Sequence, residues 1–138
     1  PIMHSRILAA ALFAAAVLFT AAPADAAVAT VDMRALFEGN DAWHAAAQAA
    51  GARRAALEKE FDEKSEGLTG TALAALLQEY RQKARAAEKE AMNEPYNRIL
   101  AVVEQVAREE GYDVVVRARS VLCGQADGDI TEAVKARL

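Results

Sequence analysis

Histidine and cysteine, which often bind metal ions or act in catalysis, are rare in this chain, which has 2 histidines and 1 cysteine. His44 follows Trp43, and no second ligand stands at a spacing that would complete a metal site, so a packed or solvent-facing helix residue is favoured. Cys123 is the single cysteine, so no disulfide can form within the chain. Because no base or helix N-terminus is evident beside it, we expect a buried, small apolar side chain and not a reactive thiol.

Asp127-Gly128-Asp129 has the first ligands of a calcium loop but lacks the remaining alternating ligands and the distant glutamate. A turn followed by a helix N-cap is therefore favoured over a calcium site. The sequence also has no Ser/His/Asp, Cys/His or paired-carboxylate arrangement that would support catalysis. It predicts a protein that is not an enzyme, with no catalytic residue, no metal and no cofactor.

Composition and the first residues indicate where the protein acts. With 16 basic and 20 acidic residues the net charge is −4, and no basic run predicts nucleic-acid binding. Residues 1–26 have a basic start at Arg6, an apolar core from Ile7 to about Ala22, Pro23, and the small-residue ending Ala24-Asp25-Ala26. This pattern predicts a cleaved secretory signal peptide. A membrane anchor is less favoured, because the apolar run is shorter than the roughly 20 residues of a spanning helix.

The next residues predict a short strand, Val28–Met33, and then a helix from about Ala42 toward Glu66 that Asn40 or Asp41 caps. The second half of this helix has a narrow stripe at spacings of three and four, formed by Leu57, Phe61, Lys64 and Leu68.

Two glycines and two threonines in residues 67–71 predict a tight turn that ends this helix and caps the next through Thr69 or Thr71. The second helix has its own stripe, formed by Leu73, Leu76, Leu77, Tyr80, Ala84, Ala87 and Ala91. Two stripes joined by a turn predict an antiparallel helical hairpin. Counting back from the turn places Phe61 near Leu77 and Leu57 near Tyr80 or Ala84.

Pro95 is expected to kink or split the second helix, because it lacks an N–H group and clashes with the preceding turn. A denser stripe follows and predicts a core, formed by Tyr96, Ile99, Leu100, Val103, Val106 and Ala107. Strands are predicted at Tyr112–Val116 and Ser120–Cys123. Asp129-Ile130-Thr131-Glu132 is a predicted capping box before a short helix.

These elements predict a single α+β domain, residues 27–138, with a base of residues 27–41 and 96–138 and a helical arm of residues 42–95. Three short strands form a poor core alone, so several chains are expected to share one sheet. The candidate oligomerisation residues are Val28, Val31, Val114, Val115, Val116 and Val121.

Both ends of residues 27–138 have recognisable motifs, V-x-x-V-D-M-x-x-L-F near the start and G-Y-D-V-V-V with D-I-T-x-x-V-K near the end. The matching residues are Val28, Val31, Asp32, Met33, Leu36, Phe37, Gly111, Asp113, Val114, Val115, Val116, Asp129, Ile130, Thr131 and Val134. With the hairpin between them, the sequence resembles the OmpH/Skp family of periplasmic chaperones. The resemblance implies a jellyfish-shaped homotrimer in which a central sheet body supports three coiled-coil arms around a cavity. It also implies that unfolded outer-membrane proteins are held in that cavity without ATP, and it allows transient contact with the membrane surface.

The chain departs from the best-known members, which are basic with longer arms, because it is acidic and its arm from the turn to Pro95 spans roughly 36 Å of helix. No residues match the basic cluster on which a proposed lipopolysaccharide site depends. The alternating arm charges are favoured as a solvated face. Four apolar side chains near the turn are candidate client contacts, with a local cluster as the equal alternative: Leu68, Leu73, Leu76 and Tyr80. A second hypothesis is a structural or adaptor protein of the envelope whose arm tips bind one folded partner.

Overall fold

The computed structural model describes residues 25–138, so the predicted signal peptide lies almost wholly outside the described residues. The elements in chain order are β1 (Val28–Val31), α1 (Met33–Glu38), α2 (Asp41–Ser65), α3 (Gly70–Glu109), β2 (Val114–Arg117), β3 (Gly128–Asp129) and α4 (Thr131–Lys135). The strands form a three-stranded sheet of order β2-β1-β3, in which both pairs are parallel. The prediction of a small sheet combined with long helices is confirmed.

Side-chain oxygens that accept hydrogen bonds from the backbone fix where the first two helices begin. Asp32 caps α1 by accepting hydrogen bonds from the backbone N–H groups of Arg34 and Ala35. Asn40 caps α2, and its Oδ1 accepts from the N–H of Trp43 at 2.8 Å. Such caps satisfy donors that a helix N-terminus cannot satisfy itself. The predicted bounds of α2 are therefore correct to within one residue.

The turn between α2 and α3 depends on two glycines with left-handed backbone angles. Gly67 has φ of 76° and Gly70 has φ of 57°, a region that other residues rarely adopt. Thr69 occupies the N-cap position of α3, but its side chain makes no capping hydrogen bond. The position of the turn is as predicted, and the backbone of its glycines, not a threonine cap, determines its shape.

Pro95 does not split α3, so that part of the prediction is wrong. The helix runs for 40 residues, from Gly70 to Glu109, and Pro95 is buried within it. The proline removes one backbone hydrogen bond, at a cost of about 3 kcal/mol. Packing on both sides of Pro95 offsets this cost, because Tyr80 is buried against α2 and Ile99 is buried in the base.

The core lies in the base, where one face of the sheet packs against α1, α4 and the C-terminal half of α3. Its buried members are Ala29, Val31, Leu36, Ile99, Val103, Val106, Ala107, Ile130 and Val134. Phe37 is partly buried and packs on this cluster. Leu100 was predicted to belong to it but is 39% exposed. It follows Ile99 on a helix of which only one face meets the sheet, so it points away from the cluster.

Two aspartates hold the start of β1 at the centre of the sheet. Asp113, which precedes β2, accepts through Oδ2 from the N–H of Ala27 at 2.9 Å. Asp127, which precedes β3, accepts through Oδ2 from the N–H of Val28 at 2.7 Å. Charged acceptors strengthen such hydrogen bonds. The first residues of β1 are thus fixed from both neighbouring strands.

Thr131 joins the two end motifs that the sequence contains. Its buried hydroxyl accepts from the N–H of Asp32 at 2.9 Å and donates to Oδ1 of Asp129 at 2.6 Å. The predicted capping box is wrong, since Asp129 accepts from the N–H of Thr131 and Glu132 pairs instead with Lys135 at 3.0 Å. The D-I-T motif is therefore a bridge between strand ends and not a helix cap.

Replacing Thr131 with Val is expected to lower the free energy of unfolding by about 1 to 3 kcal/mol, because the N–H of Asp32 loses its acceptor at a part-buried position. Chemical denaturation would measure the loss. Thr71→Val is the matched control, since Thr71 is exposed on α3. Equal midpoints for the two variants would show that the bridge does not stabilise the fold.

The third strand is not at Ser120–Cys123, as predicted, but at Gly128–Asp129. Residues 118–120 form a 3₁₀ turn instead, and the chain after them is irregular. Leu122 is 98% exposed, and Cys123 is exposed and not buried as predicted. A Cβ at Gly128 would clash with the Tyr112 hydroxyl oxygen, so the absence of a side chain at this position makes room for that ring.

Candidate functional site

The seam between α2 and α3 centres on an aromatic pair. The rings of Phe61 and Tyr80 lie 5.7 Å apart at an interplanar angle of 61°, an edge-to-face arrangement. Leu57 is buried beside them, and Tyr80 is only 5% exposed. Leu57, Phe61, Leu77, Tyr80 and Ala84 all line one groove, so the two predicted stripes face each other, but the ring beside Phe61 is that of Tyr80, a pair that the predicted register did not include.

Cations flank the buried Tyr80 ring. The Nζ atoms of Lys64 and Lys83 lie 5.6 Å and 4.6 Å from its centroid, within the range of cation–π attraction. A hydrogen bond with Glu79 raises the pKa of Lys83 and lowers the pKa of Glu79. These contacts cover Tyr80, which was predicted as a client contact. Its position is that of a buried seam residue and not of an exposed tip residue, so client contact by Tyr80 stays a prediction.

The three leucines nearest the turn are placed differently from Tyr80. Leu68, Leu73 and Leu76 are all half-buried, and the next residue, Leu77, is 37% exposed. The end of a two-helix hairpin offers no third element to cover them. The structure therefore leaves an apolar surface near the turn that is only partly covered, as predicted.

Three ion pairs of the arm form between residues of the same helix. Arg54 lies 3.2 Å from Glu58, Lys59 lies 4.0 Å from Glu63, and Lys83 lies 2.6 Å from Glu79. All are exposed pairs four residues apart, which solvent screens and which therefore contribute little to stability. This arrangement fits a solvated helical face.

The groove beside the seam has a volume of about 310 Å³ and is bordered by Arg54, Glu58, Asp62 and Arg81. Sequence reasoning did not find it. The feature of the sequence that could have indicated the groove is Ala84. It is a small residue in a stripe that has Leu77 and Tyr80 at its preceding positions.

The predicted oligomerisation residues do not share one environment. Val31 lies in the core of its own chain, whereas Val28, Val115 and Val116 are half-buried. Val114 is 46% exposed on β2, which has β1 on one side and no strand on the other in the described part of the chain. Val121 is also exposed but lies outside the sheet, because its predicted strand does not form. Assembly through these residues stays a prediction.

Other kinds of site are not found in residues 25–138. No group of three or more His, Cys, Asp and Glu side chains there could hold a metal ion. His44 is exposed, and its Nε2 lies 2.8 Å from the carbonyl oxygen of Glu38. Across the same residues, no helix is both long and apolar enough to cross a membrane.

Comparison with protein families gives one match. The model of a family described as outer membrane protein (OmpH-like) matches residues 70–138, which is half of the 138-residue chain. The matched part begins with α3 and includes the Tyr80 side of the seam, β2, β3 and α4. No curated protein matches the chain.

Proposed function

This chain belongs to the OmpH-like family, and on that basis we propose that it is an ATP-independent holdase chaperone of the periplasm for unfolded outer-membrane proteins. The family is of the outer-membrane-protein chaperone type and not an enzyme family. The observation that carries the proposal beyond membership is the partly covered apolar surface near the hairpin turn, formed by Leu68, Leu73 and Leu76.

Weak apolar contacts suit a protein that must hold an unfolded chain and then release it. Each half-buried leucine gains only part of the roughly 1.5 to 3 kcal/mol that full burial provides. Several such contacts on linked arms add to a useful affinity, because later contacts form at a high effective concentration. The exposed ion pairs of the arm keep such a complex soluble.

A homotrimer would place several arms around one client. Support comes from β2, whose outer edge has no strand beside it among residues 25–138 and whose Val114 is exposed. Open edges pair readily with further strands, and a sheet of three short strands gains stability by extension. In this proposal the bases of the three chains share one sheet, and the helical hairpins project from it. The trimer contacts the membrane surface transiently when it delivers a client.

We expect the purified protein from residue 27 onward to be an oligomer, with a trimer as the predicted state. Light scattering coupled to size-exclusion chromatography would give the mass. Val114→Lys is expected to reduce that mass, since charge on an exposed edge opposes strand pairing. A folded monomer at micromolar concentration would contradict the shared sheet.

The alternative function is a structural or adaptor protein that binds one folded partner through its arm tips. The two functions differ in how selective the binding is. Titration with several unrelated outer-membrane barrels, each unfolded in urea and then diluted, should give similar affinities for a holdase. An adaptor would bind none of them and would instead saturate with one folded protein.

A further inference from the structure

The groove between α2 and α3 has an aromatic and aliphatic floor. Phe61 and Tyr80 supply the rings, Leu57 lines the groove and is otherwise buried, and Leu77 lines it with 37% of its surface exposed. The volume of about 310 Å³ is far larger than the gaps between well-packed side chains. An apolar side chain that entered it would cover surface that the hairpin leaves in contact with water.

Ala84 explains why the groove is there. It lies four residues after Tyr80 and lines the groove, at a position where a larger seam residue would fill the space. Coiled-coil seams normally insert a large side chain into each hole on the facing helix. Here Ala84 contributes only a methyl group to the groove that Leu57 also lines.

The rim provides both signs of charge. Arg54 is engaged with Glu58 at 3.2 Å, whereas neither the Arg81 guanidinium nor the Asp62 carboxylate forms an ion pair within residues 25–138. A guanidinium is attracted to the negative face of an aromatic ring and also donates to carbonyl oxygens. A carboxylate accepts from N–H groups. The mouth of the groove is thus complementary to an extended backbone that presents both groups unpaired.

We propose that this groove binds single aromatic side chains of extended, unfolded outer-membrane barrel strands, with Arg81 against the ring or backbone and Asp62 accepting from the backbone. Barrel strands alternate apolar and polar residues and contain girdles of aromatic residues. This inference rests on the proposed holdase function and names the client feature that the arm selects. The volume of about 310 Å³ exceeds the roughly 150 Å³ of a cavity that accepts one benzene ring, so an aromatic side chain fits the groove.

The test uses Ala84→Leu, which fills the groove, and a fluorescent peptide of alternating tyrosine and threonine. Anisotropy titration of the oligomer should show binding weakened by about tenfold, equivalent to the loss of one well-packed ring. Ala86→Leu is the matched control, because Ala86 is exposed on the same helix and does not line the groove. That control should bind like the parent protein. The melting temperature of Ala84→Leu should be equal to or above that of the parent.

A second variant keeps the proposal testable if Ala84→Leu does not fold. Arg81→Ala removes an exposed side chain and should weaken tyrosine-peptide binding by about threefold, consistent with an exposed cation–π contact. A leucine-threonine peptide should bind the parent protein less tightly than the tyrosine peptide. Unchanged affinity in both variants, or equal affinity for the two peptides, would overturn the proposal.

The two levels of the proposal fail in different ways. If the protein suppresses aggregation of an unfolded barrel but both variants bind the peptide normally, the groove assignment is wrong and the holdase function stands. If peptide binding depends on Ala84 and Arg81 but aggregation is not suppressed, the groove assignment stands and the holdase function is wrong.

Discussion

Ile99→Ala is expected to lower the free energy of unfolding by about 2 to 5 kcal/mol, as is typical when a buried branched side chain is truncated. Ile99 is fully buried where α3 packs on the sheet, among Ala29, Leu36 and Val106. Removing its side chain leaves a cavity that a parallel sheet and a long helix cannot easily close. Urea denaturation followed by circular dichroism would measure the change.

The neighbouring residue is the control. Leu100→Ala removes a similar volume from a side chain that is 39% exposed, so its expected cost is about 1 kcal/mol or less. Both variants should be unfolded at two protein concentrations, because oligomerisation makes apparent stability depend on concentration. Equal losses for Ile99 and Leu100 at both concentrations would contradict the proposed core.

The second large effect is on client holding. Replacing Leu68, Leu73 and Leu76 together with Ser should leave the oligomer and the melting of the base intact, because these half-buried residues lie outside the core cluster. Aggregation suppression should nevertheless fall severalfold. Each side chain contributes a fraction of the roughly 1.5 to 3 kcal/mol that full burial provides, and the fractions add across the arms.

A matched triple variant separates loss of apolar surface from loss of helix. Ala72, Ala74 and Ala75 are exposed on the same turns of α3, and their replacement with Ser lowers helix propensity as well. This control should keep full suppression. If both triple variants suppress equally well, the tip leucines do not contact clients. If the leucine variant no longer melts cooperatively, those residues hold the hairpin together.

Local sequence signals predicted the helical parts of the fold well. Asn40 and the glycines at 67 and 70 mark ends that depend only on nearby atoms, so α2 was placed to within one residue. The position of β3 was missed, because Gly128 and Asp129 are poor strand formers. Backbone hydrogen bonds to β1 hold them, from Asp127 to Val28 at 2.8 Å and from Ile130 to Thr30 at 3.0 Å.

Predictions that depended on which face of a helix or strand packs against another element were less successful. A stripe at helical spacing does not reveal where a partner helix ends, so Tyr80 was grouped with the tip although it is buried against Phe61. Pro95 was expected to kink or split α3, but it does not split the helix, because packing on both sides outweighs the local cost. Val121, Leu122 and Cys123 have strand propensity, yet no neighbouring strand pairs with them in the described fold.

The measurement that tests the central claim most directly is the turbidity of an outer-membrane barrel protein diluted from urea, without ATP, in the presence of the purified protein from residue 27 onward. The holdase proposal predicts that turbidity falls as the protein is added and disappears near one oligomer per barrel chain. A folded soluble protein of similar net charge, added at the same concentration, should have no effect. Turbidity that rises equally with the purified protein and with the folded control protein would contradict the proposed function.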